Sequence, residues 1–400
     1  MNDTATSSPE TLRARMVDHI QHGFWPACER VADAMRTVPR HLFVPDATLE
    51  EAYDDQSVIT KRDATGAALS CASTPAIVAM MLDQLDIQPG QRILEIGAGT
   101  GYNAALLAHL TGPNGYVTTV DIDPNITGGA RRGLDNNGYQ HVHVATRDGA
   151  LGDTEHIPYD RLIVTVGAWD LPAPWWTQLA PGGRLVAPLR WRGQTQSVAF
   201  TYDGAQMISD SMGLCGFVPM LGQDGEHTGY VDPDGHVSLY WDEDQNIDTT
   251  GLLGICTQPK AATWSGVTVR GEEPFDRIWL HLSATEPGTC RIAADKTATT
   301  SGLCTPAVGI RSPAIAENAS LAYLTTRRLP DADDARFELG ATGHGTVGAD
   351  LAERLCAQIR NWDTDRTTPP TITAYANNTK PDHINLFTIR KTDCRLVIKF

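Results

Sequence analysis

Residues Arg92-Ile93-Leu94-Glu95-Ile96-Gly97-Ala98-Gly99-Thr100-Gly101-Tyr102-Asn103 constrain this chain more than any other stretch. An apolar, β-branched run gives way to alternating glycines and then to Ala104-Ala105-Leu106-Leu107-Ala108, which predicts a buried strand, a tight turn and a helix. Residues without a Cβ let the backbone turn sharply and let a ligand lie against the peptide N–H groups of the helix start. A dinucleotide fingerprint would need its third glycine at position 102, which is Tyr102, so this turn does not have that form.

The flanks extend the pattern. Tyr116 to Asp123 is a second β-rich run that ends in acids about 20 residues beyond the glycines, where a carboxylate can bind a ribose hydroxyl pair. Asp121 and Asp123 are the two candidates for that role. A helix through Ala130 to Asn136 follows, then strands at His141–Ala145, Tyr159–Val166 and Gly182–Leu189, with a short helix around Trp176 to Leu179. Strands alternating with helical segments predict an α/β fold with a parallel, doubly wound sheet, whose strand ends at Asp121, Asp123 and Asp148 line one ligand-binding edge.

Upstream, apolar positions at helical spacing predict two short helices between residues 11 and 38, split by Gly23 and Pro26. Val38-Pro39-Arg40-His41-Leu42-Phe43-Val44-Pro45 is bracketed by prolines and is expected to be extended, burying Leu42 and Val44. Glu51 to Ala68 is polar and reads as a surface loop or hairpin. Ser73 or Thr74 then caps a helix over Ala76–Leu85, with Pro75 in its first turn.

The acidic-x-Gly-x-Gly-x-Gly turn resembles motif I of class I S-adenosylmethionine (SAM) methyltransferases. In order along the chain, Val38–Pro45, Ser73-Thr74-Pro75 with Ile77-Val78-Ala79-Met80-Met81, Leu94–Tyr102, Asp148-Gly149, Trp176–Gly183 and Gly216-Phe217-Val218-Pro219-Met220 resemble one family, protein-L-isoaspartate O-methyltransferase. The likeness runs from about Leu12 to about Leu221. It implies a Rossmann-like class I methyltransferase fold, SAM as cofactor with S-adenosylhomocysteine as product, and Ser73 as the hydroxyl that orients the methyl-accepting carboxylate. It also implies a cofactor site drawn from Ser73, Glu95, Gly97, Ala98, Gly99, Thr100, Gly101, Tyr102, Asn103, Asp121, Ile122, Asp148, Gly149 and Val166, with Asp121 at the ribose and Glu95 bracing the loop. On the bare residues, Ser73 reads equally as a helix cap and Asp148 as a turn residue before Gly149. Arg40, Lys61, Arg62, Cys71 and Thr74 are candidate substrate contacts, with Arg190 and Arg192 as further positive groups near the cleft; each cation reads otherwise as a solvated surface charge.

Two departures refine the expectation. The family's usual Ser-Gln-Pro or Ser-Ala-Pro is Ser73-Thr74-Pro75 here, and about 180 residues follow the point where ordinary repair enzymes of the family stop. Both features resemble methyltransferases of pathways for ribosomally made, modified peptides, such as the so-called FxLD system and relatives acting with lanthipeptides and graspetides. That likeness implies methylation of an aspartate in a cyclised precursor peptide followed by aspartimide formation, with isoaspartate repair as the alternative.

Composition bounds the partners. A net charge of −16 with no long basic cluster disfavours a nucleic-acid surface. Met1–Glu10 lacks an apolar signal core and no apolar run is long enough to span a bilayer, which predicts a cytoplasmic protein with no membrane partner. Eight cysteines without C-x-x-C spacing read as reduced packing thiols, and no metal site is expected.

The expected domains are a helical and substrate-loop cap over 1–80, a SAM-binding core over 81–222 and a C-terminal α+β domain over 223–400, used for peptide recognition or homodimer formation. Within the last, β-rich runs are expected at His236–Trp241, Gly266–Val269, Arg277–Leu282 and Ser320–Leu324, an amphipathic helix at Gly348–Trp362, and a terminal strand pair at Ile384–Ile389 and Cys394–Phe400. His344 reads as a loop residue, and Trp241, Trp264, Trp279 and Trp362 as core.

Overall fold

The computed structural model describes residues 7–330, 335–377 and 387–400. The chain divides into two compact units: one takes the residues up to Leu189, Thr195–Gln223 and a short segment from Ala374, the other Arg190–Gln194, Asp224–Thr373 and the C-terminal strands. The helices before residue 81 share a unit with the Gly-rich turn.

In the first unit, helices α1 (Pro9–Gln21), α2 (Glu29–Thr37) and α3 (Leu49–Tyr53) precede a hairpin of β1 (Val58–Arg62) and β2 (Ala68–Ala72). The expected extended strap at Val38–Pro45 is instead a 3-10 turn over Arg40–Phe43. It buries Phe43 and Val44, whereas Leu42 is 46% exposed. The prolines stand outside the turn, and their fixed φ near −65° suits a helical turn as well as an extended chain.

Helix α4 (Pro75–Leu85) leads into β3 (Arg92–Ile96), α5 (Tyr102–Thr111), β4 (Tyr116–Asp121), α6 (Pro124–Asn136), β5 (His143–Thr146), β6 (Tyr159–Val164), α7 (Ala173–Gln178) and β7 (Leu179–Trp191). These strands run parallel in the order β5-β4-β3-β6-β7, and β8 (Gln194–Tyr202) and β9 (Gln206–Leu214) add an antiparallel pair. The order reverses between β3 and β6, so the crevice at their carboxyl ends is where such sheets bind ligands. Helix α5 is apolar on nearly every side, and Ala104 to Ala108 are all buried, as expected of a helix enclosed by its unit.

The second unit carries an antiparallel sheet ordered β10-β11-β13-β14-β15-β16-β12. Its strands are β10 (Glu226–Tyr230), β11 (Val237–Asp242), β12 (Lys260–Arg270), β13 (Thr289–Ala294), β14 (Ser312–Glu317), β15 (Ser320–Arg328) and β16 (Arg336–His344). Helices α8 (Arg277–Thr285), α9 (Lys296–Ser301) and α10 (Gly348–Thr364) accompany it, and α10 buries Leu351, Leu355 and Ile359 as expected. Arg277–Leu282, expected as a strand, is helical: Ile278, Trp279, Leu282 and Ser283 are buried together at helical spacing. His344 is not in a loop but ends β16, buried. Trp279 and Trp362 are core, while Trp241 and Trp264 are only half-buried. After β17 (Thr371–Ala376), β18 (Thr388–Arg390) pairs with β19 (Cys394–Lys399); the expected strand's Ile384–Leu386 lies outside the described residues.

Arg192, expected near the cleft, is a buried ion of this second unit, paired with Asp242 and Asp244. Arg190 is paired with Glu226 at 2.7 Å. Six cysteines are buried, Cys71 is half-buried and Cys28 is exposed. Among the described residues no helix is long and apolar enough to cross a membrane.

Candidate functional site

The turn after β3 turns on backbone geometry. Gly97, Gly99 and Gly101 have φ of +104°, +50° and +85°, a region that side chains make costly. Space is short as well: a Cβ on Gly97 would stand 2.6 Å from Thr165 Oγ1, which donates to the Gly97 carbonyl at 2.7 Å. The turn thus opens the N-terminus of α5 toward the crevice.

A cleft of about 720 Å³, its open mouth included, is lined by Gly97–Thr100, Tyr102, Asn103, Asp121 and Val166, and on the other side by Leu69–Ser73. The Leu69–Ser73 segment lies close to the glycine turn: a Cβ on Gly99 would stand 3.6 Å from the Cys71 carbonyl oxygen. Ser73, Cys71 and the glycines, far apart in sequence, therefore share one cavity. Thr74 stands at the N-cap of α4 without a side-chain cap bond. The free N–H of Ala76 is instead met by Asp55 Oδ1 at 3.1 Å, so neither Ser73 nor Thr74 is spent on capping α4.

Asp121 closes the edge. Its carboxylate accepts from Asp123 N at 3.1 Å and from Gly99 N at 3.5 Å, and burial raises its pKa above the usual carboxylate value. A desolvated acid facing a cavity gains from hydroxyl donors, and a ribose diol is such a pair. Asp123, the alternative, is committed elsewhere: Oδ1 caps α6 through Asn125 N and Oδ2 pairs with Lys61, which holds its pKa down.

Glu95 is wholly buried behind the turn and not on the cleft wall; its Oε1 accepts from Asn103 Nδ2 at 2.7 Å. Burial pushes its pKa up to about 7, against the pull of its hydrogen-bonding neighbours Thr119 and Asn103. Asp148, Gly149 and Ile122 also lie off the cleft wall. Asp148 Oδ1 accepts from Ala150 N, which is the turn role the bare sequence allowed.

Among the expected substrate contacts, Lys61 and Arg62 do not line the cleft; Lys61 is bound to Asp123 and Arg62 donates to Gly66 O at 2.8 Å. Arg40 does line it but is no surface charge: it is 0% exposed, and burial lowers its pKa. Val78, Met81, Phe217 and Val218, which the sequence matched to the family's motifs without assigning them to the site, complete the wall with Thr165. The position of Thr165 just after β6, beside the carboxyl end of β3, was the available signal.

A parallel sheet with this order, a glycine turn after its central strand and a buried acid after the next defines a class I SAM-dependent methyltransferase. The residues present fit the cofactor, because the glycine turn leaves its peptide groups open and Asp121 faces the same cavity. More narrowly, the family profile described as protein-L-isoaspartate(D-aspartate) O-methyltransferase matches residues 12–225, and the chain belongs to that family. It is 39% identical over 216 residues to a protein-L-isoaspartate O-methyltransferase of Methanopyrus kandleri, covering 53% of this chain and 92% of that one. A relative of the same name from Methanothrix thermoacetophila is 41% identical over 197 residues, 49% of this chain and 90% of its own. A solved structure named protein-L-isoaspartate O-methyltransferase superposes with a TM-score of 0.50 at 19% identity, over 90% of this chain and 96% of that one. Chain length alone therefore does not set this protein apart from every structure bearing that name.

Proposed function

We propose that the chain methylates the side-chain carboxylate of an aspartate in a ribosomally made, cyclised precursor peptide, and that the ester then closes to an aspartimide. The observation that carries the carboxyl-methylating part is the one cleft shared by Ser73, the Gly97–Gly101 turn and Asp121. Bound there, SAM supplies an electrophilic methyl carbon on a sulfonium.

An acceptor carboxylate with a pKa of about 4 is ionised at neutral pH, so no strong base is required. The work left to the protein is alignment and exclusion of water. In this proposal Asp121 accepts from the ribose hydroxyls and the peptide groups of Gly97–Thr100 flank the methionine part. Met81, Phe217 and Val218 supply apolar wall. The Ser73 hydroxyl donates to one acceptor oxygen and leaves the other facing the methyl group. Closure of the imide then forms a bond from the following backbone nitrogen to the ester carbonyl carbon. The C–OCH₃ bond breaks, and the amide proton leaves with methoxide as methanol.

The precursor-peptide reading is supported by the Ser73-Thr74-Pro75 substitution; the antiparallel second unit in this proposal grips the peptide or pairs two subunits. Repair of isoaspartyl peptides is the second reading, favoured by the names of the relatives. Mass spectrometry separates them. The protein and SAM should first add about 14 Da to a cyclised precursor peptide, and loss of methanol should then leave the imide about 18 Da below the starting mass, while a linear isoaspartyl peptide stays unchanged; methylation of the isoaspartyl peptide alone would establish repair.

A further inference from the structure

Arg40 is the only cation on the cleft wall among the described residues. Its hydrogen bonds run to main-chain carbonyls. Nε donates to Ala52 O at 2.8 Å, near the end of α3, while Nη2 donates to Ala72 O at 3.2 Å and to Ser73 O at 2.8 Å. Nη1 is sealed from solvent without a partner, and the guanidinium carbon lies 5.2 Å from the centroid of the Tyr102 ring. Burying a cation without a carboxylate against it is costly, and an apolar side chain of similar volume would fill the space at less cost. What a guanidinium adds is a rigid planar fork that can hold two successive carbonyls and a third at a fixed angle, which an ammonium cannot do.

We propose that Arg40 is the positioning residue of the Ser73 turn: it ties the carbonyls of Ala72 and Ser73 to the end of α3, and so holds the Ser73 side chain at the cleft opposite the glycine turn. This rests on the reading of Ser73 as the acceptor-orienting hydroxyl. Cys71, two residues before Ser73 and on the same wall, reports on the turn, because a loosened turn exposes its thiol.

The test uses the full chain and the substitution Arg40→Lys, which keeps the charge and loses the fork. Four readouts are expected: S-adenosylhomocysteine affinity within twofold of wild type, kcat for the accepted peptide at least tenfold lower, its KM within about threefold, and alkylation of Cys71 by iodoacetamide at least threefold faster with Cys28 as the internal standard. Unchanged kcat and Cys71 reactivity would overturn the proposal, and so would a loss of product affinity in step with turnover. Hydrogen exchange on the wild-type protein decides the matter if the variant does not fold. Slow exchange across Ser70–Ala76 supports the proposal, and exchange at the rate of an unprotected chain overturns it. A protected turn and faster Cys71 alkylation in a protein that methylates neither peptide would support the hold on the turn while overturning the acceptor reading.

Discussion

Asn103 Nδ2 donates to Glu95 Oε1 at 2.7 Å, so the first turn of α5 is fastened to the strand that precedes the glycine turn. The carboxyl it grips is buried and titrates at about 7, above its unfolded value near 4.5. A folded-state pKa above the unfolded one means that the folded protein binds more protons between the two. Glu95 therefore stabilises most below about pH 4.5, and that contribution is lost as pH rises through 7. Glu95→Gln keeps an oxygen for Asn103 and removes the titration. The variant should gain on wild type between pH 5 and pH 8, by up to about 3 kcal/mol in denaturant unfolding. A constant difference across that range would mean that Glu95 does not titrate there.

Asp121→Ala should weaken S-adenosylhomocysteine by roughly 30-fold, about 2 kcal/mol, the order expected for losing hydrogen bonds to a charged acceptor. Calorimetric titration measures it. Asp123→Ala, by contrast, should change cofactor affinity severalfold less, since its carboxylate is given to Lys61 and the α6 cap. Equal losses in the two variants would reassign the ribose contact.

Ser73→Ala should keep cofactor affinity within about twofold and lower kcat roughly 10- to 100-fold, because the hydroxyl acts on orientation of the acceptor and not on the nucleoside. Turnover at the wild-type rate would remove Ser73 from the reaction.

In the second unit, Asp242 is fully buried, accepts from Arg192 N at 2.8 Å and Lys391 Nζ at 3.4 Å, and forms an ion pair with Arg192 Nη1 at 3.2 Å. Arg192 also holds Asp244, and Lys391 Nζ also donates to the Arg190 carbonyl, so Asp242→Asn removes the one buried negative charge that both cations share. The expected cost is about 3 kcal/mol in urea unfolding of the full chain. A loss under about 1 kcal/mol would show that water reaches this lysine.

The parallel sheet, the glycine turn and Asp121 were legible because each rests on local rules: β-branched runs between turn residues, a backbone only glycine adopts readily, and a fixed interval to the next strand end. Arg40 was not legible. A lone arginine between prolines carries no signal of burial; only the tertiary arrangement brings Ala52 and Ser73 to its two sides. Arg277–Leu282 failed differently, since a six-residue apolar run alternates well enough for a strand, and its helical packing partners lie elsewhere in the sequence. For Arg192, charge suggested solvent, whereas the buried Asp242 and its neighbour Asp244 supply counter-ions some 50 residues on.

Lys61 moors the β1 strand to Asp123, two residues beyond Asp121, while β2 of the same hairpin ends next to Ser73. The Lys61–Asp123 pair therefore acts as a latch on the same hairpin that leads into the Ser73 turn. That latch is partly exposed, at 34% and 25% for the two side chains, and salt screens such pairs. Raising salt from about 0.05 to about 0.5 M should shorten the dwell time of S-adenosylhomocysteine in stopped-flow displacement, and a flat response would uncouple hairpin from release. Ionic conditions would then set the pace of turnover through the exit step while the methyl transfer itself ran unchanged.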